Sequence, residues 1–263
     1  MLKAIIIVSF GTADLRGIKE LEKFEEEIKE STRNKYYVCK AFTSKLLSKA
    51  VLNKYDKIVP TLEELLVNLN NEGYKEVYIQ PLYIIEGKEY LGIKKVVEEY
   101  IHYFSKILLG NAFMSKKEDK LKKSFNLIFT VTKKDLSKTD NIVLVGHGSK
   151  SADTEIYNTL KEFFVKNGYK KVYVGTLEGK IKKEEVLNQL IKNNIKNLTI
   201  IPIFMLQGKH IKRDVFGESN SWESLIKEHN IKVKSIKKSL LEYEEIRKYY
   251  INEIKLNLNK ESF

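Results

Sequence analysis

The chain has 263 residues, with 47 Lys and Arg residues against 35 Asp and Glu residues, which gives a formal net charge of +12. An apolar content of 43% excludes an intrinsically disordered chain, and the single cysteine, Cys39, excludes a disulfide-stapled scaffold or a cysteine-rich metal site. No run of 18 apolar residues occurs, so the sequence predicts no membrane-spanning helix.

Strands and helices are predicted to alternate along the whole chain. The segments predicted as strands are residues 3–10, 36–42, 76–82, 106–112, 141–146, 171–176, 198–204 and 231–236. Segments of helical period lie between them, and two of these follow capping-box sequences at residues 61–64 and 115–118. This alternation predicts an α/β fold with open, mainly parallel sheets flanked by helices.

The two halves of the chain resemble each other in sequence. The matching segments are IIIVSFGT at 5–12 with IVLVGHGS at 142–149, YVCKAFTS at 37–44 with KVYVGTLE at 171–178, and QPLYIIEGKEY at 80–90 with IPIFMLQGKHI at 201–211. We therefore predict two similar lobes, residues 1–133 and 134–263, with a cleft between them. The last helix, 242–258, could pack back on the first lobe.

The positive charge suits three kinds of partner: nucleic acid, an anionic membrane or an acidic small molecule. The alternative interpretation is a solvated lysine-rich surface that binds no partner. No motif for nucleic acid binding is present, and neither GxxxxGK[ST] nor GxGxxG occurs, which argues against a nucleic-acid binder and a nucleotide-hydrolysing enzyme. The apolar run at residues 4–8 is too short for a signal-peptide core, so we expect a cytoplasmic protein without membrane partners. A homo-oligomer is left open.

Two of the four histidines follow predicted strands directly or within a short turn. His147 lies between two glycines after the strand 141–146, and these glycines are expected to clear space around its ring. His210 follows the strand 198–204 in a Gly-Lys-His turn. The other two, His102 and His229, lie within or at the end of predicted helices and are interpreted as structural or surface residues.

A carboxylate, Glu178, follows the strand 171–176 in the same way. Because the carboxyl ends of parallel strands meet at one edge of a sheet, Glu178, His147 and His210 are expected to converge there. Two imidazoles and one carboxylate suit a borderline divalent transition metal, with open positions left for a substrate. The alternative interpretation is three unrelated loop residues.

The internal repeat places Phe10 and Glu89 in the first lobe where the second lobe has His147 and His210. The first lobe therefore lacks the two histidines but keeps one carboxylate. If the lobes face each other, Glu89 would lie across the cleft from the histidines. An ordinary loop carboxylate is an equally good interpretation of Glu89.

These motifs resemble those of the anaerobic cobalt chelatases of cobalamin biosynthesis, which are class II tetrapyrrole chelatases and relatives of ferrochelatase. The resemblance is carried by His147 in GHGS, Glu178 in GTLEG, His210 in LQGKHIKRD and the segment AFTS at 41–44. It covers nearly the whole chain. It implies two α/β lobes with a tetrapyrrole cleft, ATP-independent insertion of Co²⁺ into sirohydrochlorin, and His147, Glu178 and His210 as metal-binding residues.

Metal insertion exchanges two pyrrole N–H protons for one divalent ion, so it needs a base as well as a held metal. We assign His147 and His210 as ligands and proton acceptors, because imidazole exchanges protons near neutral pH. Glu178 would help to hold the cation, and Glu89 would relay protons. No organic cofactor is expected, because Co²⁺ is the substrate ion.

The substrate also carries carboxylates and two ring faces. Basic residues near the predicted cleft could pair with the carboxylates, and apolar residues there could line the ring or belong to the core. The residues expected to contact the substrate are Phe10, Tyr83, Lys88, Lys209 and Met205. A chelatase for Fe²⁺ or Ni²⁺ and a non-catalytic carrier of tetrapyrrole or metal remain open, since ligand type alone does not select among these metals.

Overall fold

The computed structural model describes residues 1–137, 140–149 and 155–260. It consists of two compact units, of which the first combines Met1–Phe113 with the C-terminal segment that begins at Glu244, and the second is Met114–Tyr243. The predicted lobe ranges include residues 138–139, 150–154 and 261–263, which lie outside the described residues.

The first unit contains a four-stranded sheet in which every neighbouring pair is parallel, in the order β2-β1-β3-β4. Its strands are β1 (Leu2–Ser9), β2 (Tyr37–Phe42), β3 (Tyr74–Pro81) and β4 (Lys106–Leu109). The second unit repeats this arrangement in the order β6-β5-β7-β8, again with parallel neighbours. Its strands are β5 (Ile142–Gly146), β6 (Val172–Thr176), β7 (Asn197–Ile203) and β8 (Lys232–Ser235).

Helices flank both sheets. They are α1 (Leu15–Ser31), α2 (Lys45–Tyr55), α3 (Leu62–Asn71), α4 (Lys88–Tyr100), α5 (Glu118–Thr132), α6 (Glu155–Lys166), α7 (Lys183–Lys192), α8 (Trp222–Glu228) and α9 (Glu244–Lys260). The predicted fold class, two similar α/β units with parallel sheets, is therefore confirmed. In the part of the chain that the structure describes, no helix combines the length and the apolar character needed to cross a bilayer.

The central strands contain continuous apolar runs that are buried by the elements packed on the sheets. In β1, residues 4–8 are all buried. Ala4, Ile6 and Val8 belong to a core cluster that includes Leu66 of α3 and Ile93 of α4. A strand that is buried on both faces has a continuous apolar run instead of alternating apolar and polar residues. This continuous run is the pattern from which β1 was predicted.

The last helix, α9, belongs to the first unit. The ring of Tyr250 lies 5.9 Å from that of Phe24 in α1, and the Arg247 guanidinium donates to the Glu27 carboxylate at 2.8 Å. Tyr250 is 1% exposed, so α9 closes this side of the unit with a large aromatic side chain.

Helix α5 belongs to the second unit, although the sequence places the boundary between the lobes after residue 133. The ring of Phe125 lies 5.9 Å from that of Phe163, and the ring of Phe129 lies 5.3 Å from that of Phe164. These contacts join α5 to α6, so the division of the chain falls after Phe113.

The capping box at residues 61–64 is confirmed, because the Thr61 backbone N–H donates to the Glu64 carboxylate at 2.9 Å and the Glu64 N–H donates to the Thr61 hydroxyl. The second capping box, at residues 115–118, is wrong. The N-cap of α5 is Lys117, and the Ser115 hydroxyl accepts a bond from the Lys117 N–H instead. Ser115 lies two residues before this N-cap, and its bond to Lys117 forms a local turn ahead of the helix.

Close packing beneath the second sheet's carboxyl edge requires glycine in β6. A Cβ atom on Gly175 would lie 1.9 Å from the Trp222 indole, which is 2% exposed. We expect Gly175→Ala to lower the free energy of unfolding by about 1–3 kcal/mol, as overpacking does, in urea denaturation. The control is Gly92→Ala in α4, where nothing lies within 4 Å of the added atom, so stability should stay equal or rise. Native stability of Gly175→Ala would contradict this packing.

Candidate active site

The carboxyl ends of β5, β6 and β7 deliver the candidate site residues to one edge of the second sheet. His147 follows β5 directly, and Glu178 lies two residues after the end of β6. After β7 the chain runs through a short connection to His210, which is the first residue of a π-helix, His210–Val215.

The two imidazoles lie side by side. Their ring centroids are 4.8 Å apart and their planes are nearly perpendicular, at 85°. The Phe204 ring lies 6.2 Å from His147 and 6.4 Å from His210, and it is stacked at 21° to the latter. Because an imidazole nitrogen binds a transition metal at about 2 Å, two rings at this separation could share one cation beside an apolar wall.

Each imidazole makes a hydrogen bond through Nδ1. The partner of His147 is the Gly148 carbonyl oxygen at 3.1 Å, and the partner of His210 is the Asp214 Oδ2 atom at 2.7 Å. The Arg213 Nε–H donates to the other carboxylate oxygen, Oδ1, at 2.6 Å.

Partial burial raises the pKa of the Asp214 carboxyl group, but the hydrogen bonds from Arg213 and His210 act in the opposite direction. These hydrogen bonds, together with the positive charge of Arg213, outweigh the effect of burial, so the pKa of Asp214 lies below its usual value. The sequence interpretation missed Asp214, although it lies in the motif LQGKHIKRD. The signal that could have found it is its spacing of four residues from His210, which places both side chains on one helix face.

Glycines bring the turns after β5 and β6 into direct contact. Gly148 has a φ of +73°, and a Cβ atom on it would lie 2.7 Å from the backbone nitrogen of Gly179 and 2.7 Å from Thr176. The Glu178 backbone N–H donates to the His147 carbonyl oxygen at 2.8 Å. The backbone of the predicted carboxylate is thus tied to that of the predicted imidazole.

Gly146 allows a similarly close contact on the other side of His147. A Cβ atom there would lie 2.3 Å from the ring of Tyr157, which is fully buried at 1% exposed. The two glycines were expected to clear space around the imidazole. They instead permit close packing by Tyr157 and Gly179, which holds the turn that carries His147.

The Glu178 side chain is exposed. Among residues 1–137, 140–149 and 155–260, no group of three or more His, Cys, Asp or Glu side chains is placed to hold a metal ion. The structure therefore brings His147 and His210 together, but in this arrangement the Glu178 carboxylate does not complete a three-ligand group with them. Its role as a ligand stays a prediction.

The predicted residues of the first unit lie near the carboxyl edge of its own sheet. Phe10 follows β1 and is 47% exposed, while Lys88 and Glu89 are exposed in the first turn of α4. The Tyr83 hydroxyl shares a hydrogen bond of 2.8 Å with Thr43. Burial raises the pKa of Tyr83, and the charge of Glu89 adds to this effect. The proton relay by Glu89 stays a prediction, because Glu89 and the histidines belong to different units.

Of the predicted substrate contacts in the second unit, Lys209 is exposed next to His210, whereas Met205 is only 5% exposed. The Met205 carbonyl accepts a backbone bond from Leu241 at 3.0 Å. This environment favours the core interpretation of Met205 over a ring-lining one.

Comparison with known proteins identifies the family. The family model described as cobalt chelatase (CbiK) matches residues 3–259. The chain therefore belongs to the CbiK cobalt chelatase family, which confirms the resemblance in its motifs. It also confirms the predicted class of enzyme, a chelatase with Co²⁺ as the substrate ion.

Individual relatives cover most of the chain. The sirohydrochlorin cobaltochelatase CbiKC of Nitratidesulfovibrio vulgaris is 24% identical over 248 residues, which is 92% of this chain and 86% of the relative. The sirohydrochlorin cobaltochelatase of Salmonella typhimurium is 24% identical over 225 residues, or 85% and 84% of the two chains. The structure of SirB from Bacillus subtilis with Fe³⁺ shares the fold, with a TM-score of 0.67, 16% identity and coverage of 100% of this chain and 98% of SirB.

Gly148 should tolerate alanine less well than another glycine with positive φ. Alanine in this backbone region costs about 1–2 kcal/mol by itself, and at Gly148 it would also collide with Gly179. We expect Gly148→Ala to lose more stability in urea denaturation than Gly73→Ala, because Gly73 has a φ of +82° but nothing within 4 Å of the added atom. Equal losses would mean that the two turns are not in contact.

Proposed function

We propose that this protein inserts Co²⁺ into sirohydrochlorin without ATP, as a step of anaerobic cobalamin biosynthesis. Family membership and two relatives named sirohydrochlorin cobaltochelatase support this proposal. The observation that carries it is the pair of imidazoles, 4.8 Å apart, at the carboxyl edge of the second sheet. A cytoplasmic location stays a prediction from the sequence.

In the proposed reaction, one divalent ion replaces two pyrrole N–H protons. His147 and His210 would hold the incoming ion through their ring nitrogens. As the ion passes to the pyrrole nitrogens, each imidazole nitrogen that it leaves becomes free to accept one of the two protons. Two protons then replace one divalent ion at the imidazoles, so the net charge of the site is unchanged and no other reactant is needed.

Glu178 is proposed as a third ligand and as compensation for the charge of the cation. Support comes from its exposed side chain and from the backbone bond of 2.8 Å that ties it to His147. A change of side-chain rotamer would be enough to move an exposed carboxylate. Glu89 is proposed to pass protons onward to solvent.

Contacts with the macrocycle are proposed for Phe10, Tyr83, Lys88 and Lys209. Phe10 exposes almost half of a large aromatic side chain directly after β1, where a ring face could cover it. Lys88 and Lys209 occupy equivalent positions in the two Gly-Lys pairs of the internal repeat, and both are exposed. Ammonium groups at these positions could pair with substrate carboxylates.

The two histidines are tested by replacing each with alanine. We expect His147→Ala and His210→Ala to lower the rate of Co²⁺ insertion at least about 100-fold, because each removes a metal ligand and a proton acceptor. The absorbance change of sirohydrochlorin on addition of Co²⁺ reports the rate. His102→Ala is the matched control, since His102 is exposed in the first unit and should retain native activity.

Three outcomes would contradict the proposal. A native rate in either histidine variant would remove the assigned roles. Native protein that metallates no more than one equivalent of sirohydrochlorin would be a carrier. A higher kcat/KM for Fe²⁺ or Ni²⁺ in a competition assay would assign another metal.

A further inference from the structure

His210 makes a short hydrogen bond to a carboxylate through one of its two ring nitrogens. Nδ1 lies 2.7 Å from Asp214 Oδ2. Since an ionised carboxylate can only accept hydrogen bonds, this geometry favours a His210 that donates from Nδ1. In the neutral imidazole the other nitrogen, Nε2, then keeps its lone pair free for a cation or a proton.

The Asp214 carboxylate is itself held in place. Its second oxygen, Oδ1, accepts from the Arg213 Nε–H at 2.6 Å, and its side chain is only 24% exposed. Both oxygens are thus engaged by neighbours within the same π-helix. Asp214 is therefore placed to act on the cation through His210 rather than as a ligand.

The other imidazole has a different partner. His147 Nδ1 lies 3.1 Å from the neutral carbonyl of the adjacent Gly148, a longer contact with an uncharged acceptor. Hydrogen bonds to charged acceptors are shorter and stronger than those to neutral ones. His210 is consequently the imidazole whose orientation and tautomer are more firmly fixed.

We propose that Asp214 is a positioning residue, which fixes His210 as its Nδ1–H tautomer and leaves Nε2 to bind the divalent cation. The inference rests on the proposed function, in which His210 holds the metal substrate. Carboxylates that accept from a metal-binding imidazole typically change metal affinity about 10–100-fold when they are replaced.

The first test measures Co²⁺ affinity in the absence of sirohydrochlorin, from the visible absorption of bound Co²⁺. Asp214→Asn should weaken affinity about 10–100-fold, because an amide can donate to Nδ1 and favour the opposite tautomer. Asp214→Glu keeps the charge and should lose less than Asp214→Asn. The matched control is Asp119→Asn, an exposed carboxylate on α5 of the same unit, which should bind like the native protein.

The second test needs no variant. Nitrogen-15 NMR of the metal-free native protein at mildly alkaline pH should show a protonated Nδ1 and an unprotonated Nε2 for His210. A native His210 protonated at Nε2, or an Asp214→Asn variant that binds Co²⁺ within twofold of native, would overturn the inference. If the native protein does not bind Co²⁺, or if His210→Ala binds it unchanged, the proposed function fails instead, and the NMR result still decides the role of Asp214.

Discussion

The register of β5 with its two neighbours is the constraint on which the candidate site depends. Gly146 at the end of β5 pairs with Thr176 of β6 on one side and with Ile203 of β7 on the other, so the three strands end level. Because side chains alternate between the faces of a strand, a slip of one residue would turn those that follow to the opposite side. The completely buried residues of β5 hold this register, and His147 emerges from it directly.

Large aromatic side chains pack against the sheet next to this edge, at positions where glycines leave space for them. Tyr157 packs on Gly146 and Trp222 packs on Gly175, with both rings almost fully buried. The candidate site therefore stands on regular strands with a tightly packed base rather than on long loops. Such support is what holds catalytic side chains in a fixed geometry.

The amino-acid sequence determined the layers of the fold and the centre of the site. Strands buried on both faces have continuous apolar runs, and the helices between them have apolar residues at a helical period. Each helix or strand can therefore be recognised from its own segment of sequence. The internal repeat predicted two similar units, which share one strand order. His147 and His210 could be chosen because each follows a strand of the same sheet, and parallel strands end at the same edge.

Only the tertiary structure decided which distant segments touch. Helix α5 joins the second unit through Phe125 and Phe163, a contact that neither segment reveals alone. Helix α2 was not predicted because it buries little more than Val51, so its apolar period is weak. The spacing of Asp214 from His210 is visible in the sequence, but the hydrogen bond between them and the exposed side chain of Glu178 depend on rotamers and neighbours. Local sequence patterns determine where the helices and strands lie, whereas side-chain contacts determine which of them pack together.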